Sequence, residues 1–188
     1  MVTIEKLLGD KAEGVFNAAG IQSVIIEFDR TFRAAISKEL RKQYQGAINT
    51  YKEAIGIGEK LIGLRTDSTD YSKLARAYLN LAYYIQPTLN LERARGYYID
   101  SIQRGYKTYE NLLYLSSALE RLFFLSAKKG QVKLNLVDEF CSAVVTYQES
   151  VCFAQEKNGG FKKSTLGAYF FNVNCMIATL ESLSGDLI

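Results

Sequence analysis

A single proline, Pro87, interrupts a chain of 188 residues whose apolar side chains recur at helical spacing almost from end to end. Proline removes a backbone donor and clashes with the preceding turn, so its near-absence leaves long helices unopposed. The fold class that follows is all-α. The few turn signals divide the chain into about eight helices, at 3–18, 21–42, 44–64, 70–86, 90–105, 107–129, 135–157 and 162–183. Thr66-Asp67-Ser68-Thr69-Asp70 reads as a loop ending in a cap. Gln86-Pro87-Thr88 stops one helix and Asn90 caps the next. Lys128-Lys129-Gly130 is a basic last turn closed by glycine, Asn135 with Asp138 resembles a capping box, and Asn158-Gly159-Gly160 closes a further helix. Helices joined by short loops pack antiparallel. No linker is long or polar enough to mark a domain boundary. Residues 1–188 therefore read as one domain, with N-terminal helices at 1–42, repeat-like helix pairs at 43–157 and a C-terminal helix at 158–188.

One pattern recurs. Ala47, Tyr51, Ala54 and Ile55 stand at offsets 0, 4, 7 and 8, as do Ala94, Tyr98, Ser101 and Ile102, and again Ala143, Tyr147, Ser150 and Val151. The copies start 47 and then 49 residues apart. Those offsets share one helical face. The small residues let a neighbouring helix approach, and the tyrosine fills the gap between them. One such helix pair cannot bury its face alone, whereas stacked pairs bury a continuous core.

Tyr78, Leu81 and Ala82, followed by Ala94, Tyr98 and Ser101, resemble a tetratricopeptide repeat. The period departs from the family's, which is about 34 residues, and the proline that closes each repeat of the family is missing. The resemblance implies a right-handed solenoid of stacked antiparallel helix hairpins, the alternative being a compact helical bundle. It also implies a concave groove lined by the first helix of each pair. Arg76, Leu79, Asn80 and Tyr83 map there, flanked by Phe32, Arg33 and Ile36 on one side and by Arg121, Phe124 and Lys128 on the other. Asn80 stands where the family holds a peptide backbone. Phe32 and Ile36 replace the lysine and second asparagine of the family's carboxylate clamp, so capture of a C-terminal carboxylate is not implied. Arg33, Arg76, Asn80, Tyr83, Arg121, Phe124 and Lys128 are thus the candidate partner-binding residues. Arginine among apolar residues suits an acidic or extended peptide through bidentate pairing.

Composition narrows the chemistry. Histidine is absent, which removes the commonest general base and zinc ligand. No catalytic residues, metal ligands or cofactor are therefore assigned. Gly56, Gly58 and Gly63 lack the strand and the Lys-Ser/Thr ending of a phosphate loop, and read as close-packing positions. Glu53 with Glu59, and Glu149 with Glu156, read as helix-surface charges. A net charge of +3 is far from the balance of a dedicated nucleic-acid binder. Cys141, Cys152 and Cys175 form no CxxC pair and are expected to be reduced and buried, which with the lack of a secretory leader or membrane span points to the cytoplasm.

Ile21, Val24, Ile25, Phe28, Phe32, Ala35 and Ile36 form an apolar stripe expected to pack on the stack. The last helix, carrying Phe170, Phe171, Val173, Met176, Ile177 and Leu180, is apolar around much of its girth and is expected to touch a second chain, in an oligomer or larger complex. The function expected is a non-enzymatic protein-interaction module: an adaptor, chaperone or scaffold subunit. A small ligand-binding or enzymatic bundle without histidine chemistry and a helical-repeat nucleic-acid binder are the alternatives.

Overall fold

The computed structural model describes residues 4–129 continuously, with side chains from Ala18 onward, and thirteen scattered helical residues between Asp138 and Glu181. Among the described residues every regular element is an α-helix. In chain order these are α1 (Ile4–Leu40), α2 (Tyr44–Leu64), α3 (Ser68–Leu81), α4 (Pro87–Gln103) and α5 (Tyr109–Ala127). None is long and apolar enough to cross a membrane.

Sequence and structure differ at several helix ends. The two helices expected at 3–18 and 21–42 are one helix of 37 residues. Gly20 is the break that fails: no capping residue or proline stands beside it, and glycine alone weakens a helix by only about 1 kcal/mol. Pro87 does not stop α3, which ends earlier, at Leu81. It opens α4 from the first turn, where its missing N–H has no role. Asn90 is not a cap. It sits buried inside α4 and donates from Nδ2 to the Ile85 carbonyl at 2.7 Å, holding the preceding turn. α3 also begins earlier than expected, at Ser68, inside the stretch read as loop; its cap is Asp67, whose Oδ1 accepts from the Thr69 N–H at 2.8 Å.

Consecutive helices run antiparallel, as their contacts fix. Phe28 of α1 meets Gly58 of α2, while Glu39 of α1 accepts from the Tyr51 hydroxyl at 2.6 Å. Along α2 and α3, Gly58 faces Leu74, and Asn80 Nδ2 donates to the Tyr51 hydroxyl at 2.9 Å. Tyr78 and Tyr97 stack between α3 and α4, and Tyr98 and Tyr114 between α4 and α5. Contacts also skip a neighbour: Lys73 of α3 meets Asp29 of α1, and α5 packs along α3, parallel to it. The tyrosine at offset 4 is the centre of the core, since Tyr51 and Tyr98 are each 0% exposed, as are Ala47, Ala54, Ala94 and Ser101. The third copy's Ala143, Tyr147, Ser150 and Val151 lie outside the described residues. Phe28, Phe32 and Ala35 are buried, so the N-terminal stripe packs on the core.

The first turn between helices carries a residue that backbone energetics disfavours. Lys42 has φ +60°, and its hydrogen bonds (Lys42 N–H to Glu39 O at 2.8 Å, Gln43 N–H to Lys38 O at 2.9 Å) are those of a helix end usually closed by glycine. The end of α4 has the same bonding with glycine in place, Gly105 at φ +98°. Lys42→Gly is expected to raise unfolding stability by about 1 kcal/mol, measured by urea denaturation. A loss of stability would mean that the lysine stem contributes more packing than its exposure suggests.

Candidate functional site

Because α3 has α1 on one side and α5 on the other, the three helices meet along one face. A cleft of about 330 Å³ opens there. Phe32 and Ile36 of α1 form its apolar side, with Arg33 beside them. Ser72 and Lys73 enter from α3, with Arg76 about one helical turn further on. Tyr106 and Thr108 of the α4–α5 loop close one end, and Asn111 and Tyr114 come from the first turns of α5.

The charges divide into paired and unpaired. Lys73 Nζ meets Asp29 Oδ1 at 2.7 Å, so this rim is neutralised. Arg76 lies over the Tyr114 ring, 4.7 Å from its centroid, and Arg33 is exposed. Neither arginine has a carboxylate within ion-pair distance among the described residues. The cleft therefore presents two available guanidinium groups beside apolar and aromatic surface. Glu110, also on the rim, is the acid left on that side.

A polar knot shapes the cleft end. Asn111, 1% exposed, donates from Nδ2 to Ser101 Oγ at 3.0 Å and to the Tyr106 carbonyl at 2.8 Å, and accepts from the Ser72 hydroxyl. Ser101 Oγ in turn donates to the Ser68 carbonyl at 2.6 Å. Thr108 caps α5 by accepting from the Asn111 N–H at 3.2 Å. Sequence reasoning read Ser101 only as a small packing residue and passed over Asn111; Thr108 three residues ahead of Asn111 was the available signal.

The other expected residues continue along α3 with different surroundings. Asn80 is turned toward Tyr51, whose hydroxyl also donates to Glu39; the second oxygen of Glu39 accepts from Tyr84 at 2.7 Å. Burial, and then the bond to Glu39, pushes the Tyr84 hydroxyl up to about 12, so it stays a donor across the physiological range. Tyr83 is 62% exposed, with the Arg121 guanidinium 3.8 Å over its ring. Arg121 also donates to the Leu79 carbonyl at 3.3 Å. Leu79 itself is buried in the core and lines no groove. Phe124 is half-buried with its ring edge-on to Phe123, and Lys128 is exposed where α5 ends. Of the expected set, the structure thus brings Arg33 and Arg76 into one cleft and sets Asn80, Tyr83 and Arg121 beyond it; Phe124 and Lys128 lie outside it.

Other candidates resolve into ordinary packing and pairing. Gly58 has Phe28 and Leu74 atoms 3.0 Å from where a Cβ would stand, whereas Gly56 and Gly63 have nothing within 4 Å. Close packing therefore explains one glycine of the three. Glu59 accepts from Tyr78 and Arg93, and Glu149 pairs with Lys107 at 3.1 Å. Cys141 and Cys152 are exposed rather than buried, a correction to the packing role expected of them: helical periodicity places a residue on a face but does not say whether that face is covered. Cys175, Glu156 and most of the apolar C-terminal helix lie outside the described residues.

No family model matches the chain, and neither a curated protein nor a solved structure is found to resemble it.

Proposed function

We propose that this chain is a non-enzymatic protein-interaction module that takes an extended acidic segment of a partner in the cleft between α1, α3 and α5. The observation that carries the reading is the pair Arg33 and Arg76, both without an acidic partner among the described residues, beside Phe32, Ile36 and Tyr114. A guanidinium fork offers parallel donors that fit a carboxylate, and the ring beneath Arg76 holds it in place with little further loss of rotamer freedom. Apolar side chains of the same segment would cover Ile36, which is half-buried beside the buried Phe32. On this reading α1–α2 and α3–α4 are successive hairpins of a tetratricopeptide-like stack, and α5 begins a third. Support comes from the burial of both repeat copies and from the parallel packing of α3 with α5. The exposed thiols of Cys141 and Cys152 suit a reducing compartment such as the cytoplasm.

The test is fluorescence anisotropy with a labelled peptide alternating Glu and Leu. Binding is expected to weaken at least about tenfold for each of Arg33→Ala and Arg76→Ala, from the loss of charge-assisted hydrogen bonds. Equal affinity for the double variant and the unaltered protein would remove the cleft from consideration. A single-stranded oligonucleotide that binds with the same dependence on Arg33 and Arg76 would favour a nucleic-acid partner instead.

A further inference from the structure

We propose that one end of the helix stack, opposite the α4–α5 loop, docks on an anionic lipid surface. Three chain segments meet at that end: the α1–α2 turn, the α3–α4 turn and the last turns of α5. Their meeting is fixed by three contacts. Tyr44 and Tyr84 rings lie 5.8 Å apart, Glu39 accepts from Tyr84, and Arg121 covers Tyr83.

The composition of these tips is one-sided. Residues 37–45, 82–89 and 121–129 carry Lys38, Arg41, Lys42, Arg121, Lys128 and Lys129, and a single acid, Glu39. That acid is turned inward, with both oxygens on the Tyr51 and Tyr84 hydroxyls. Among the cations stand exposed apolar side chains: Leu40 is 80% exposed, and Leu89 and Tyr44, the latter with one face on Tyr84, are each 50% exposed. An exposed leucine alone means little. Leucines and tyrosines gathered among cations at the tip of a helix stack are the composition of a bilayer-contacting surface, where tyrosine sits at headgroup level and lysine meets anionic lipid.

Two further observations bear on the occupant. The tips line neither the cleft at Arg33 nor the one beside Arg95 and Leu119. A lipid surface needs no groove to meet cations and apolar side chains, whereas an extended peptide is held in one. Moreover, the turn keeps a lysine in a left-handed conformation that glycine would hold more cheaply, so a cation stands at the apex at a cost to the fold.

The experiment is co-flotation of the full chain with vesicles of phosphatidylcholine alone and of equimolar phosphatidylserine and phosphatidylcholine, at low and high salt. Binding is expected only with phosphatidylserine and is expected to fall with salt. The triple variant Lys42→Gly, Lys128→Gln, Lys129→Gln is expected to weaken it about 100-fold, roughly fivefold per cation. Leu40→Ser with Leu89→Ser should cost roughly tenfold. Arg33→Ala with Arg76→Ala should leave it unchanged, which separates this surface from the peptide cleft. Circular dichroism on the same samples verifies that each variant is folded. Absence of binding to either vesicle overturns the proposal, as does binding indifferent to both sets of tip substitutions. Capture of polyglutamate that depends on the lysines but not on Leu40 and Leu89, in place of vesicle binding, would identify an acidic protein partner and equally overturn it.

Discussion

Replacing Asn111 with alanine is expected to destabilise the fold by about 3 kcal/mol. The side chain is 1% exposed and joins three separate pieces of chain: Ser72 on α3, Ser101 near the end of α4 and the Tyr106 carbonyl in the loop. A net hydrogen bond contributes about 1 kcal/mol, and a buried group left without a partner costs more than that. Alanine removes three bonds at once and leaves the Tyr106 carbonyl and two serine hydroxyls without their amide partner. Asn111→Asp is expected to be at least as damaging at neutral pH. An ionised carboxylate cannot donate to the Tyr106 carbonyl, and it would be buried without a cation. Urea denaturation measures both. Since Ser72, Tyr106, Thr108 and Asn111 all line the cleft, the alanine variant should also weaken peptide binding under conditions where it remains folded. A loss below about 1 kcal/mol would mean that water replaces the amide and that the knot is not what sets the α4–α5 corner.

How much of this was legible in the sequence follows from which forces act locally. Ala47, Tyr51, Ala94 and Tyr98 declared themselves because burial on a helix writes a period into the sequence, and that period needs no knowledge of the neighbour. Arg33 and Arg76 line one cleft, because α1 and α3 run in the same direction side by side. Leu79 was misplaced because the helix it sits on has a neighbour on nearly every side, and a stripe assigned from one face does not see the others. The continuous α1 was missed for a related reason: Gly20 is a weak breaker, and only a cap or a proline beside it would have turned the chain. The knot at Asn111 could not be read from periodicity at all. Its partners stand up to 39 residues away, and which amide proton meets which carbonyl is a property of packed helices. The basic tips were hidden for another reason. Lys38 to Lys42, Tyr83 to Leu89 and Lys128 to Lys129 look like unrelated polar turns until α1, α3 and α5 are seen to run in the same direction.

Gly58 and Gly56 offer a paired test of the same packing logic, because they lie two residues apart on α2 in opposite surroundings. At Gly58 a Cβ would stand 3.0 Å from Leu74 Cδ1 and from two atoms of the Phe28 ring, at the junction of α1, α2 and α3. At Gly56 nothing lies within 4 Å. Alanine in an open helical position improves propensity, so Gly56→Ala is expected to stabilise the fold by about 1 kcal/mol. Gly58→Ala gains the same propensity but forces a methyl into a contact tighter than normal packing permits, and should come out destabilising by about 1 kcal/mol. Gly58→Val adds two γ-methyl groups in that space and should cost about 3 kcal/mol, enough to separate the N-terminal hairpin from α3. Urea midpoints at constant m-value decide the matter. If Gly58→Ala is as stabilising as Gly56→Ala, the Phe28 ring and the Leu74 methyl yield without cost, and α2 is held against its neighbours less tightly than its buried tyrosine and alanines imply. If only Gly58 substitutions destabilise, close approach at this one glycine sets the spacing of the first three helices. The Phe32 and Ile36 side of the cleft then owes its position to a residue that never touches it.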